Sequence, residues 1–565
     1  MHASIWIKNI KFKNYNLELK NNSIVVFVGP NNTGKSKTLQ ELYSSPFHNG
    51  IQKTIIIDEV QLQLDGDESA LLRQLEDRRI DNQYYYVNNS SQVQGINDEQ
   101  LLKAHQNFYT THSLNYRGSL IPFFFKQLTT PERLNLVNSP NNINFLTSAP
   151  FHPIHILKES GEKEAEFSRY FKLAFGQDVI VNHGAGNTIP LHIGERPIAT
   201  VENDRVSKAY QVKLRALDQL ASQGDGMKSF AGVFLGLFVQ DHSVNIIDEP
   251  EAFLHPPQAT LLGQMIANSL GDDKQIFIAT HSEHILKGLL DYASDRLLVV
   301  RIERDGSINK INTLNNTEIK SIWSDPLLRH SNVLDGLFHK RAVLCESDSD
   351  CRFYSALTTA IVEKEGLVSP DILFIQSGGK HRFPVVVKAL KKLAVPLTII
   401  GDFDLYHQEA PLKTIYENLE GDWDEVKTDF KIVKQAIDQK RPELETNELK
   451  QSIEQIFTSV GGKVMPEDKI KLIQAELKKS SPWSQAKSSG KAYLPAGDAI
   501  NAFNRVQSKL RGKGIIVLDI GEIEAFDKTV GGHGPKWINE VLEKDLLNDP
   551  ELEVARNFVK EILLS

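Results

Sequence analysis

Gly29-Pro30-Asn31-Asn32-Thr33-Gly34-Lys35-Ser36 has the types and spacing of a phosphate-binding loop. Gly29 and Gly34 let the backbone wrap tightly enough for its N–H groups to face phosphate oxygens. Lys35 supplies a point charge to β- and γ-phosphates, and Ser36 offers a hydroxyl to Mg²⁺. Asn32 within the wrap and Lys37 just after it complete the nucleotide-contacting candidates. Such a loop needs a strand before it and a helix after it, and Ile24 to Val28 and Lys37 to Leu42 read as these.

A second group lies downstream. The apolar run Val244 to Ile247 ends in Asp248-Glu249-Pro250-Glu251, which puts the acids at one end of a sheet. Asp248 is placed to hold Mg²⁺ and Glu249 to polarise an attacking water. The run Gln275 to Ala279 then ends in Thr280-His281-Ser282, with His281 at the interval of a γ-phosphate-sensing histidine. Upstream, Ala221-Ser222-Gln223-Gly224-Asp225 opens a long apolar helix through Phe230, Phe234 and Phe238, and Ser222 and Gly224 form an anion-binding N-terminus there. A nucleotide-sensing glutamine belongs in the intervening region; Gln61, Gln63 and Gln127 are candidates and the sequence does not choose.

The second half carries different chemistry. A short strand, Arg341 to Cys345, ends at Glu346, with Asp350 four residues on; the helix Cys351 to Val362 follows. Strand Ile372 to Gln376, loop Ser377-Gly378-Gly379-Lys380, a helix, and strand Leu397 to Gly401 ending in Asp402-Phe403-Asp404 complete a βαβαβ unit. Glu346, Asp350, Asp402 and Asp404 converge at one sheet edge, where carboxylates repel unless cations sit between them. Hard oxygen ligands suit Mg²⁺ or Mn²⁺, which activate water and stabilise a leaving oxygen in phosphodiester cleavage.

These groups need a large frame. The chain has 565 residues, enough for about three or four domains. A content of 41% hydrophobic and 24% charged residues is that of a globular protein. No apolar run reaches membrane-spanning length and the N-terminus alternates like a strand, so a cytoplasmic protein is expected. The net charge of -8 does not advertise a nucleic-acid binder, but local basic patches and bound ions act against that background. The two cysteines, Cys345 and Cys351, indicate neither a disulfide framework nor zinc, and read as packing residues. A strand is expected at Thr54 to Val60, a mostly helical polar stretch from Gln61 to about Asn144 with Asn-rich breaks at 88–89 and 141–144, and a helical connection from Ile319 to Phe338. Residues 405–512 read as a helical insertion rich in lysine, from Lys427 and Lys434 through Lys471 to Lys487 and Lys491; a solvated insertion is favoured slightly over a phosphate-contacting arm.

The order P-loop, Ser-Gly loop, Asp-Glu strand and histidine resembles an ABC-type ATPase head of the RecF, Rad50 and OLD (overcoming lysogenization defect) groups. The Glu-x-x-x-Asp, Gly-Gly-Lys and Asp-x-Asp series resembles a Toprim domain. Both on one chain resemble the OLD family. The resemblance implies an α/β protein: an ABC-type ATPase domain over 1–310, with a variable insertion at about 61–205 as candidate dimerisation region; connecting helices over 311–340; and a Toprim α/β nuclease domain over 341–565. It further implies that Glu522 and Glu524 join a second metal position and that Lys536 lies beside the scissile phosphate. Implied too are ATP and Mg²⁺ (or Mn²⁺) as cofactors, DNA as substrate, and a homodimer or higher homo-oligomer. In function it implies an ATP-regulated endonuclease of anti-phage defence, beside a helicase or a retron reverse transcriptase with its DNA or RNA. Two departures stand out: a degenerate Ser222 to Asp225 signature, and Ser347 where Toprim domains usually have glycine. The rivals are a non-nucleolytic DNA-repair ATPase and an ATP-gated interaction protein with an inactive Toprim domain; a topoisomerase lacks a tyrosine-bearing cleavage domain.

Overall fold

The computed structural model describes residues 2–47, 54–87, 93–109, 114–269, 271, 273–292, 295–306, 308–314, 322–329, 331–440, 446–462, 464–478 and 481–564. The chain forms two compact units, Met1–Arg329 and His330–Ser565.

The first unit is built on a six-stranded sheet. Its order is Ile308–Leu314, Leu297–Asp305, Ile24–Val28, Gln275–Ala279, Val244–Asp248, Phe125–Leu128, all parallel except the first. The strands Ile24–Val28 and Gln275–Ala279 are buried at every residue, which is why they read as continuous apolar runs. The three active ends, at Gly29, Asp248 and Thr280, follow neighbouring parallel strands and so share one edge. Gly29 is required: its φ is +141°, and a Cβ there would lie 2.2 Å from the Ile302 carbonyl oxygen.

Several elements differ from the sequence reading. The strand expected at Thr54 to Val60 runs Ile57–Asp65, antiparallel to Ser4–Phe12, so Gln61 and Gln63 lie in a separate three-stranded sheet. The stretch expected to be mostly helical holds another antiparallel sheet, Arg79–Ile80, Gln83–Val87 and Val93–Asn97. The run Tyr84-Tyr85-Tyr86-Val87 favours a strand, and polar flanks masked that preference. The same stretch contains Phe125–Leu128, an edge strand of the main sheet, so it is not wholly an insertion. Residues 88–89 lie outside the described residues, and 141–144 form a loop. The Ser-Gly loop precedes helix Asp225–Phe234, with Gly224 as its N-cap.

The second unit has a four-stranded parallel sheet ordered Ile372–Gln376, Arg341–Cys345, Leu397–Gly401, Ile515–Val517. Helix Asp348–Glu365 starts earlier than its apolar periodicity indicates, because Ser347 and Asp350 form a capping box. It packs Phe353 and Leu357 against Val343, Ile516 and Trp537 in the core. Cys345 is buried and Cys351 half-buried, both free. Between Gly401 and Ile515 come helices Glu409–Asn418, Asp424–Asp438, Thr446–Thr458, Glu467–Lys478, Pro482–Ser489 and Asp498–Arg511. The last of these covers the sheet, its Gln507 donating to the Val517 carbonyl at 2.7 Å. In the connection, residues 315–321 lie outside the described set; short helices Pro326–Arg329 and Val333–Phe338 follow. Among the described residues no helix is long and apolar enough to cross a membrane.

Candidate functional site

In the first unit the loop Gly29 to Ser36 closes on itself. Lys35 Nζ donates to the carbonyls of Gly29 and Pro30 at 2.7 and 2.8 Å, so the ammonium lies inside the wrap of the loop. Asn32 adopts φ +62° at the exposed crest, and Lys37 is exposed on the first turn of helix Lys35–Ser44. Ser36 Oγ donates to Asp248 Oδ1 at 3.1 Å. A hydroxyl facing a carboxylate is the pair of oxygens that would hold Mg²⁺ beside a triphosphate. Burial pushes the Asp248 pKa up against the Ser36 hydrogen bond, which leaves a carboxylate short of positive charge. His281 Nε2 lies 3.6 Å from Glu249 Oε1. Burial, then the Lys35 charge, lower the His281 pKa, so the imidazole is neutral near neutral pH.

Ser222 and Gly224 stand apart from this group: the Ser222 hydroxyl donates to the Gln219 carbonyl at 2.7 Å. Of the three glutamines, Gln127 is the one on the nucleotide sheet, opposite Ile246. Two residues that sequence reasoning passed over also join the site. Arg133 binds the carbonyls of Asp248 and Glu249, and Glu251 binds the Thr280 hydroxyl and the His281 amide. Only Glu251 had a signal, being the third acid of its run.

In the second unit the sheet edge gathers two groups of donors. Oxygens of Glu346, Asp402 and Asp404 lie within 4.8 Å of one another, as do donor atoms of Glu522, Glu524 and His533. Asp350 stays outside both: its Oδ2 accepts the Ser347 amide at 2.7 Å, closing the capping box. Glu346 and Asp402 both have raised pKa values. Burial is the main cause, and neighbouring acids add to it. Burial, then Glu524, raise the Glu522 pKa as well.

Lysines answer part of this charge. Lys380 of the Gly-Gly-Lys loop pairs with Asp404 at 2.5 Å. Lys487 reaches in from helix Pro482–Ser489, 2.8 Å from Asp402 and 3.7 Å from Glu522. Burial pulls its pKa down, but Asp402, Asp404 and Glu346 together raise it. Lys487 follows the buried Trp483 by four residues and so shares its helix face, but Lys427 stands in the same relation to the buried Trp423, so spacing alone did not single it out from the other lysines. Several of those pair with acids on their own helices, Lys434 with Asp438 and Lys471 with Glu467 among them. Lys536 is exposed on the first turn of helix Pro535–Leu542.

The donor set fits a hard divalent ion. Asp404 Oδ1 is buried with no hydrogen-bond partner among the described residues, an acceptor that a cation would satisfy. The donors Glu346, Asp402 and Asp404 are all carboxylates, which suit Mg²⁺ or Mn²⁺.

A family model described as "AAA domain, putative AbiEii toxin, Type IV TA system" matches residues 187–287. Another, "Overcoming lysogenization defect protein-like, TOPRIM domain", matches residues 337–404. No curated protein matches the chain. Similar solved structures include the SMC head domain from Thermotoga maritima, at 11% identity, covering 56% of this chain and 100% of that one, with a TM-score of 0.29. The Smc head domain with an extended coiled coil, bound to the C-terminal domain of ScpA derived from Pyrococcus furiosus, is 10% identical, covering 57% and 99%, with a TM-score of 0.34. Also similar is cbiO1 from Clostridium perfringens, part of the ABC transporter complex cbiONQ, at 13% identity, 59% and 96% coverage and a TM-score of 0.27.

Proposed function

The chain has an ATPase domain followed by a Toprim domain, the architecture of the OLD family, and from that premise we propose that it is an ATP-regulated, divalent-metal-dependent DNA endonuclease. The observation that carries the nuclease reading is the convergence of Glu346, Asp402 and Asp404 around an unpartnered buried oxygen of Asp404. Mg²⁺ or Mn²⁺ bound there would supply Lewis acidity toward water and the phosphodiester. Glu346, Asp402 and Asp404 hold the first ion, and Glu522 and Glu524, joined by His533, hold the second. Asp350 acts through Ser347, fixing the turn that presents Glu346. Lys487 and Lys536 meet the phosphate's negative charge.

In the first unit, Lys35 and the loop amides bind the triphosphate, and Ser36 and Asp248 hold its ion. Glu249 takes the proton of the attacking water, while neutral His281 contacts the γ-phosphate. Ser222 and Gly224 serve the nucleotide of a second copy, so the working form is a homodimer or larger. The biological role is an effector in anti-phage defence with a separately encoded partner, a helicase or a retron reverse transcriptase. A second reading, an ATP-gated interaction protein with a silent Toprim unit, draws on the lysines already seated on Asp402 and Asp404.

Plasmid nicking with Mg²⁺ or Mn²⁺, with and without ATP, separates the two. Metal-dependent cleavage that is lost in Glu346→Ala and Asp402→Ala while ATP hydrolysis persists is the expected result. An intact protein that cuts no DNA, also in extract from phage-infected cells, favours the second reading.

A further inference from the structure

Two charged side chains beside Glu249 and His281, the buried Arg133 and the half-buried Glu251, are unused by the chemistry above. Arg133, on the short helix Thr130–Asn135, is 0% exposed. Its Nη1 donates to the Asp248 carbonyl at 2.6 Å and its Nη2 to the Glu249 carbonyl at 2.9 Å. The planar fork thus spans two successive carbonyls, one on each side of the Glu249 α-carbon. Glu249 needs such a hold: its φ is +45°, a left-handed conformation that a glutamate adopts at a cost. Glu251 does the matching task for the histidine. Its Oε1 accepts the Thr280 hydroxyl at 2.7 Å and the His281 amide at 2.8 Å, while its Oε2 is buried with no hydrogen-bond partner. A buried arginine used for packing alone would carry a desolvation penalty that an apolar residue avoids.

Helix Asp225–Phe234 touches both holders through backbone. A Cβ on Gly232 would lie 2.1 Å from the Arg133 carbonyl oxygen, and one on Gly226 2.8 Å from the carbonyl oxygen of Phe253, two residues past Glu251. The helix that begins at Gly224 is therefore in direct contact with the main chain that carries each holder.

We propose that Arg133 and Glu251 are positioning residues that transmit the placement of helix Asp225–Phe234 to the pair Glu249 and His281. This rests on the reading of that pair as the ATP-hydrolysing groups. When the Ser222 to Gly224 loop engages an anion, the helix moves against Arg133 and the Phe253 carbonyl. Arg133 turns the Glu249 peptide and Glu251 turns that of His281, so hydrolysis answers to occupancy of the loop. Nucleotide affinity, set by Lys35 and Ser36, is untouched.

The test uses the full chain with Arg133→Lys, Glu251→Gln and Gly232→Ala, measuring ATP turnover, binding of a fluorescent ATP analogue, thermal midpoint, and amide exchange across residues 279–283. The expected result is a fall in kcat of about a hundredfold, the scale of a ~1 Å misplacement. Analogue affinity stays near that of the parent in all three variants, and the thermal midpoint stays near it in Glu251→Gln, whereas Gly232→Ala and Arg133→Lys melt lower because one presses a methyl on a backbone carbonyl and the other leaves buried carbonyls unpaired. The isosteric Glu251→Gln variant also exchanges the His281 amide faster, a readout independent of turnover. Unchanged kcat in Glu251→Gln and Gly232→Ala overturns the proposal, as does affinity that falls in step with kcat. Glu249→Gln is the control: full turnover there overturns the assignment of Glu249 itself, while the His281 amide exchange still reports on the Glu251 contact.

Discussion

At the scale of single residues, charge balance decides what the acidic edge of the second unit does. Lys487 sits 2.8 Å from Asp402, in the position of a competing cation. Unit charges about 4 Å apart interact by ~1–4 kcal/mol across plausible dielectrics, and 1.4 kcal/mol is a factor of ten. Lys487→Met is therefore expected to tighten Mn²⁺ binding by roughly tenfold or more. It should also lower the metal-free thermal midpoint, because Asp402 then loses its partner. Calorimetric titration with Mn²⁺ beside melting curves checks both; weaker Mn²⁺ binding would show Lys487 to be a support for the site rather than its competitor. Glu164 of the first unit offers a pH test. Its side chain is 2% exposed and paired with Arg196, Arg205 and His183. Burial pushes its pKa up, but those partners prevail and lower it from 4.5 to about 2. The folded value lies below the unfolded one, so this stability is present above 4.5 and is lost as pH falls toward about 2. It amounts to about 3 kcal/mol, at ~1.4 kcal/mol per unit. In Glu164→Gln the melting temperature is expected to drop at neutral pH and to converge on that of the parent in acid; a constant gap would exclude the ionic origin.

At the scale of elements, the helix carrying Lys487 is seated by two glycines, Gly490 at its C-cap and Gly521 on the turn it packs against. Gly521 has φ +115°, and a Cβ there would lie 2.1 Å from the Lys487 carbonyl oxygen. Its carbonyl also accepts the Phe403 amide at 2.7 Å, tying the turn before Glu522 to the Asp402 turn. Gly521→Ala is expected to separate the two donor groups and abolish metal-dependent cleavage while leaving ATP turnover intact. Parallel assays of both activities check this, and retained cleavage would show that the close approach is dispensable. The same contact explains what was legible beforehand. Runs such as Ile24–Val28 and Ile515–Val517 declare themselves because both faces are buried. The acids at their ends follow from topology alone, hence Glu346, Asp402 and Asp404 were readable as one group. Lys487, His533 and Arg133 were not. Lys487 and Arg133 arrive through helices whose docking depends on backbone contacts, Gly521 with Lys487 and Gly232 with Arg133, that no periodicity encodes, and His533 arrives on an irregular loop. Asp350 shows how local structure competes with spacing: it stands four residues after Glu346, as expected of a ligand, and one of its carboxylate oxygens accepts the Ser347 amide in the capping box.

At the scale of the whole molecule, the proposed nucleotide site leaves Ser222 and Gly224 to serve a second copy. Ser222 spends its hydroxyl on the Gln219 carbonyl and Gly224 opens a helix whose N-terminus faces no phosphate-binding residue of its own loop among the described hydrogen bonds. A free helix N-terminus favours an anion by ~0.3–1 kcal/mol, too little to act without a second partner holding the phosphate. On the proposed reading Lys35 and Ser36 of another copy supply that hold, so assembly is expected to depend on bound triphosphate. The decisive variant is Glu249→Gln, which keeps Lys35, Ser36 and Asp248 but removes the proposed base, so ATP is expected to stay intact. Light scattering is expected to show Glu249→Gln with ATP at twice the mass of the nucleotide-free chain or more, and Lys35→Ala unchanged by ATP. Cleavage by the assembled Glu249→Gln protein, compared with the nucleotide-free chain, then gives the sign of control. Faster cutting means that ATP licenses the Toprim unit, and slower cutting means that ATP restrains it. A mass that does not respond to ATP in Glu249→Gln would place Ser222 and Gly224 outside the nucleotide site altogether.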